Sequence, residues 1–571
     1  MIIERLEERI APAVLIVNTH TAKYTDVDGD KITIYINKGT LTGADFVSVS
    51  TGLGDQLQEI NLTNPLFNGT NLTISALKSK TGDGLVNVGL INATGNDLGV
   101  VKIAGDLSSI EAGEPNSIGL NALHLRSFGV AGTNTLPSGD FPGGSITGKV
   151  DTVSINGNFD QEAFSAGGIG SLSIGGSVIG QITGDAGIFG GTIGSIKIGG
   201  TLAEEIYSTG DIGSITIGHD LAGTSYAPSG TIVCGGNLGK VSIGGSVLGG
   251  TSADTGEISV EGNITSITIK GDLIGGSNVR TGVINASGNI NTINIGGSII
   301  GGSGSASGQI STMGNLGTLK IGGDLLGGSA GANPADPHSV QSITQSGEII
   351  SSGEIDQIII GGMIVSGSND DGNTSVTESG TIRAGENIGC LTVNGGILGH
   401  PSTGSAGGVP VIISAVGQAT PANSSDLAIG KISICGDVTY ANILAGYNSQ
   451  LTPINGSAQI GTVNVSGNWT ASNLVAGCEN TGYQPHGTAN VNYGDLNDAP
   501  IPNSPTPGIL ATIQSVRISG QIYGSTTGDH FGFVADQIDA FSFSGIKEIL
   551  QSGPGNDFII LPPANVCIHE V

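Results

Sequence analysis

The chain has 571 residues, of which 100 are glycine and only 12% are charged. Nineteen Lys and Arg stand against 47 Asp and Glu, a formal net charge of −28, so phosphate backbones and anionic membranes are repelled and neither is an expected partner. With aromatics at 4% any core must be aliphatic, and this much glycine without a regular apolar period would mean disorder.

Such a period is present. Ile217, Ile243, Ile269, Ile295 and Ile321 stand 26 residues apart. The phrase Lys240-Val-Ser-Ile-Gly-Gly-Ser-Val-Leu-Gly-Gly250 returns as Ser266-Ile-Thr-Ile-Lys-Gly-Asp-Leu-Ile-Gly-Gly276 and Thr292-Ile-Asn-Ile-Gly-Gly-Ser-Ile-Ile-Gly-Gly302. A fixed period of this length means stacked coils, and the fold class is all-β: a parallel β-helix solenoid, right-handed by the chirality of parallel crossovers.

In chain order, residues 1–13 read as a leader or sorting-like segment ended by Pro12. The apolar run Val14 to Val17 is too short for a signal core, and no transmembrane helix is expected. Residues 14–95 read as a small antiparallel β cap. Lys31-Ile-Thr-Ile-Tyr-Ile36 alternates as a half-buried strand does, Asp28-Gly29 supplies a hairpin turn before it, and such a unit shields the open edge of a first coil.

Residues 96–545 read as the β-helix, about 26 residues and three strands per coil. The first strand is the triplet typified by Leu319-Lys-Ile321, with Lys320 pointing out; the second is Leu325-Leu326; the third is Gln309-Ile-Ser-Thr-Met313. Asn237, Asn263, Asn289 and Asn315 recur at one corner, where they are expected to hydrogen-bond from coil to coil and to take a left-handed backbone. Residues 546–571 read as a C-terminal cap or tail.

Insertions at 329–342, 366–378, 399–428, 445–458 and 477–511 are expected to follow the second strand and so to collect on one side. Their densest aromatic and polar material, Tyr447, Tyr483, His486, Tyr493, Asp495 and Asp498, is the candidate partner-binding face.

Candidate chemistry is sparse. Asp26-Val-Asp-Gly-Asp30 sets three carboxylates around a glycine turn, an oxygen set of the kind calcium takes. Ser552-Gly-Pro-Gly-Asn-Asp-Phe-Ile-Ile560 resembles a single calcium-binding RTX nonapeptide, which adds Asp557 to the candidate ligands Asp26, Asp28 and Asp30. Calcium is the one candidate cofactor, and none is required. No catalytic residue is indicated. Asp106, Asp220, Asp272, Asp324 and Asp437 share a turn position at which Ser177, Ser246, Ser298 and Asn468 also occur, which is turn chemistry. Lys102, Lys197, Lys320 and Arg517 are expected to form no compact basic groove. Cys234, Cys390, Cys435, Cys478 and Cys567 contain no C-x-x-C pair, and Trp469 falls where other coils place an aliphatic core residue.

At the N-terminus, Leu6-Glu-Glu-Arg-Ile-Ala-Pro-Ala13 resembles the LEPR-type motif of large bacterial envelope and secreted proteins, with Glu8 in place of its proline. Tyr24-Thr-Asp-Val-Asp-Gly-Asp-Lys-Ile-Thr33 is similar to the opening module of Gly-rich β-helix surface proteins of such bacteria. The resemblance implies export and a cell-surface or extracellular location, and it brings no catalytic residues. The expected function is that of a structural or adhesive surface protein: a rigid β-helix rod within an envelope layer, or one that binds a partner. Its expected partners are other copies of itself, envelope proteins or glycans. The alternative is a carbohydrate-active β-helix enzyme, a polysaccharide lyase or glycosidase.

Overall fold

The computed structural model describes residues 14–51, 53–137, 142–160, 163–179, 187–329, 342–369, 375–401, 408–421, 425–482, 493–502, 504, 508–525, 529–562 and 565–571. Strands take up 57% of the chain and helix 2%, with the strands in a long parallel array. This is the all-β parallel solenoid that the 26-residue period predicts. The chain divides into two compact units, Met1–His219 with Ile232–Gly236, and Asp220–Thr231 with Asn237–Val571.

In the first unit, Leu15–Asn18, Thr21–Thr25, Lys31–Ile36 and Thr70–Leu77 pair antiparallel in that order, and Phe46–Thr51 forms a hairpin with Gly54–Asn61. Parallel stacking starts inside this region rather than at residue 96. Gly54–Asn61 pairs with Val86–Thr94, and Thr70–Leu77 with Leu98–Ile103. The cap is thus hydrogen-bonded as the first layer of the stack and covers the edges of Val86–Thr94 and Leu98–Ile103. Further along, Gly143–Ile155, Ala163–Ile174 and Gly187–Ile198 are long parallel strands of 12 or 13 residues, with one register shift between Ile146 and Lys149 where the first pairs with the second.

In the second unit each coil has three strands. The first sheet stacks Leu238–Ile243, Ile264–Ile269, Ile290–Ile295 and Leu316–Ile321; the second stacks Val247–Leu248, Leu273–Ile274 and Ile299–Ile300; the third stacks Thr255–Val260, Thr281–Ala286 and Gln309–Thr312. The period-2 pleat turns Val241 and Ile243 inward and Ser242 outward, and the inward positions are buried aliphatics. Burying one such side chain stabilises by about 1.5–3 kcal/mol, and the repeat supplies several per coil. Trp469 is one of them: fully buried, it pairs in register with Val438 and Ile522 and tilts against Phe533.

The corners use two devices. Between second and third strands, Asp254, Arg280, Ala306, Gln345 and Glu378 have φ of 50–60°, each followed two residues later by a left-handed glycine. At Gly256 a Cβ would sit 2.2 Å from the Leu248 carbonyl oxygen, so only glycine fits. The hydroxyls between these residues, on Thr255, Thr281, Ser307 and Ser379, accept the backbone N–H of Gly250, Gly276, Gly302 and Gly367 at 2.8–3.1 Å. Between third and first strands the asparagines form the predicted ladder. Asn237 Oδ1 accepts the N–H of Asn263, Asn263 that of Asn289, and Asn289 that of Asn315, at 2.8–3.0 Å. The left-handed backbone expected of these asparagines lies instead at the other corner.

The insertions leave from two corners. Those at 329–342 and 366–378 follow second strands, but 445–458 and 477–511 follow the third strands Ala441–Ala445 and Asn473–Ala476. Here Tyr440 and Ala471, with φ of 51° and 44°, turn the chain from second to third strand in a residue or two, so the extra length moves to the next corner. The span 399–428 itself contains a third strand, Val411–Ala415.

Candidate functional site

The acidic turn of the cap brings Asp26, Asp28 and Asp30 together, with one carboxylate oxygen from each within 4.8 Å of the others. The segment 78–84 folds over this turn. Asp30 Oδ1 accepts the N–H of Ser79 and its Oδ2 that of Gly84, while Asp28 Oδ2 accepts the N–H of Asp83. Asp26 Oδ1 takes the N–H of Asp30 at 2.7 Å. The backbone donors of Ser79 and Gly84 hold the Asp30 carboxyl below its usual range; burial, with a hydrogen bond to Asp28, pushes Asp26 up to about 7. Calcium requires six to eight oxygens, whereas these carboxylates are already engaged by amides. The arrangement is that of a latch fastening 78–84 to the hairpin. Asp557 belongs to the other unit and has its own partners, the backbone N–H and side-chain amide of Gln551.

The residues read as a partner-binding face are placed differently. Tyr447 and Tyr493 are buried, their hydroxyls 2.7 Å apart, and Tyr447 donates to the Cys478 carbonyl oxygen at 2.7 Å. With Ile501 they pack on Leu444, Val475 and Val534. These last three are in-register outward positions of the third sheet, an apolar strip that has to be covered. The insertions therefore fold back on their own sheet. Asp498 is buried as well, accepting from Gly494 N and Asn480 Nδ2 and lying 2.9 Å from His569 Nδ1. Asp495 is half-buried and accepts from Asn480 and Asn497. Tyr483 and His486 lie outside the described residues.

Along the same outward row stands a charge cluster that the sequence reading missed. Arg383 is 1% exposed, donates through Nε to Glu348 at 2.6 Å and through a second nitrogen to Glu378 at 2.8 Å, and reaches the Ser449 carbonyl of an insertion. Glu348 is wholly buried and also accepts from Gln309 Nε2 at 2.8 Å. Burial pushes its carboxyl up, and Arg383 and Gln309 pull it back.

The first unit also holds a groove with basic groups, in which Lys102 stands without Lys197, Lys320 or Arg517. Thr73, Lys102, His124 and Ser154 are in-register neighbours across four parallel strands, all pointing outward. They line an open groove of about 800 Å³, together with Leu85 and Arg126. Lys102, His124 and Ser154 are separated by unequal sequence intervals, so the 26-residue period could not align them; a strand-by-strand register would have. Among the described residues Lys102, His124 and Arg126 have no ion pair and no side-chain hydrogen bond. The row continues through Ser173 to Lys197 without a carboxylate.

No family model, curated protein or solved structure matches the chain. Its chemistry has to be read from its own residues. No disulfide joins the described cysteines: Cys234, Cys478 and Cys567 are buried, and Cys390 lies across from Lys431 rather than Cys435. Burial pushes the Cys478 thiol well up, away from the thiolate a nucleophile needs.

Proposed function

We propose that this protein is a non-catalytic β-helix scaffold of a bacterial cell surface, serving as part of an envelope layer or as an adhesin. One observation carries the reading. In the second unit Asp220, Ser246, Asp272, Ser298 and Asp324 each accept the backbone N–H of the equivalent residue one coil on, at 2.7–3.0 Å. The recurring carboxylates, the groups an enzyme of this architecture would use for acid–base work, are committed to stacking. Serine replaces aspartate in the same role, which a catalytic position would not tolerate. Among the described residues of the C-terminal insertions, Tyr447, Tyr493 and Asp498 are likewise turned inward. The surface location rests on the resemblance of Leu6 to Ala13 to LEPR-type segments.

The test combines light scattering and negative-stain imaging of the purified chain with a polysaccharide degradation screen. Ordered assemblies or glycan binding without turnover are expected. Release of unsaturated or reducing-end products would overturn the reading in favour of a lyase or glycosidase.

A further inference from the structure

We propose that the groove formed by Lys102, His124 and Arg126 binds an acidic oligosaccharide, one carrying carboxylate or sulfate groups. The site supplies a binding face for the surface-protein reading and rests on it. Charge points to an anion. The chain has 47 acidic side chains for 19 basic ones, and among the described Lys and Arg residues only two make ion pairs. Arg280 does so with Asp254 and Glu257, and Arg383 with Glu348 and Glu378. Lys102 and Arg126 do not, and no carboxylate stands among the residues that line their groove. Two cations, Lys102 and Arg126, and the His124 imidazole thus share one surface that holds no carboxylate. The wider negative field is screened beyond about 8–10 Å at physiological ionic strength, so the local groups decide what enters.

Shape and composition suit an oligosaccharide. A groove of about 800 Å³ falls within the size range of small-ligand sites. Parallel strands space Lys102 and His124 about 4.8 Å apart, on a hydrogen-bonded sheet that fixes them before a ligand arrives. Hydroxyl and amide groups, on Ser75, Ser154 and Asn156, line the same groove. These suit a ligand that is itself rich in hydroxyls. No Phe, Tyr or Trp lines the groove, so the broad stacking platform single-stranded nucleic acid uses is missing. The equivalent outward positions of the second unit repeat the pattern. There Lys270 and Lys320, with Thr268, Asn294 and Asn394, line a trough of about 510 Å³ that also lacks a carboxylate.

Calorimetric titration of the full chain with oligogalacturonate, a sulfated oligosaccharide and neutral dextran of equal length tests the site. Binding of the charged probes, weakened by salt, is expected, with dextran inert. The exposed double substitution Lys102→Gln/Arg126→Gln should weaken binding roughly tenfold or more while leaving the circular dichroism unchanged. Equal binding of dextran, unchanged affinity in the double variant, or no binding at all would overturn the site and leave the scaffold reading standing. Cleavage of a bound probe would do the reverse. A wild-type dimer that the double substitution dissociates, with no glycan bound, would assign the groove to a second copy of this acidic chain and overturn the proposal.

Discussion

The side-chain oxygen of Asn263 accepts the backbone N–H of Asn289 at 2.8 Å, one full coil further along the chain. The same oxygen position on Asn237 serves Asn263, and on Asn289 serves Asn315. Each asparagine therefore closes a corner and bonds to the next coil. Asn263→Ala leaves the Asn289 amide to water at this half-open corner, a loss of about 0.5–1.5 kcal/mol. Because coils in a solenoid are coupled to their neighbours alone, the effect should be local. Hydrogen exchange should quicken at Asn289 and the adjoining strands and stay unchanged in the first unit. Uniform acceleration along the chain would contradict a nearest-neighbour ladder.

The Arg383–Glu348 pair predicts a larger effect. Arg383→Met strands the buried Glu348 carboxylate, which costs about 3–5 kcal/mol in comparable buried pairs. Combining it with Glu348→Gln removes the orphaned charge, and most of the stability should return. Chemical denaturation of the two variants checks this, since loss of packing alone would leave the double variant as weak as the single. The Ser449 carbonyl on Arg383 adds a local readout: segment 445–458 should become protease-sensitive in Arg383→Met.

The acidic turn predicts a pH dependence with a definite sign. Asp26 holds its proton up to about pH 7 in the fold, against about 3.9 in an unfolded chain. Between these values the folded state binds more protons than the unfolded one, so this contribution to stability falls as pH rises. Asp30 acts in the opposite sense and in a different window. Its lowered value gives stability that is present above about pH 3.9 and lost as pH falls further. Asp26→Asn keeps an acceptor for the Asp30 amide and removes the titration. Thermal melts from pH 4 to pH 7 should therefore fall less steeply in Asp26→Asn than in wild type. The wild-type slope should be the same in calcium and in chelator, because the carboxylate oxygens are engaged by amides.

The coil was legible because its inward residues repeat. Triplets such as Leu319-Lys-Ile321 encode strand, pleat and register at once, and the asparagine spacing gave the ladder. What lies outside the coil was not legible. Tyr447 and Arg383 look solvent-facing in the sequence, since alternation assigns Arg383 outward; a returning insertion buries both, and its path follows no periodic pattern. Lys102 and His124 looked scattered for a related reason. The early coils of the first unit vary in length, so only the hydrogen-bonded register brings the two side by side.

The buried tyrosine pair gives an asymmetry that separates packing from hydrogen bonding. Tyr447 donates to the Cys478 carbonyl, so the 2.7 Å contact between hydroxyls is made by Tyr493 donating to Tyr447. Burial raises both phenols, which keeps these donors protonated. Tyr493→Phe removes one donor and leaves Tyr447 bonded to Cys478, at a cost of about 0.5–1.5 kcal/mol. Tyr447→Phe strands both the Tyr493 hydroxyl and the Cys478 carbonyl in an apolar cluster with Leu444, Val475 and Val534, each unsatisfied group costing about 1–3 kcal/mol. The two substitutions delete the same atom from the same kind of ring, so a pure packing effect would make them equal. Denaturation should instead rank Tyr447→Phe clearly below Tyr493→Phe. Equal loss would mean that a water or a rotated neighbour replaces the missing acceptor, and that the insertion is held by its apolar contacts alone.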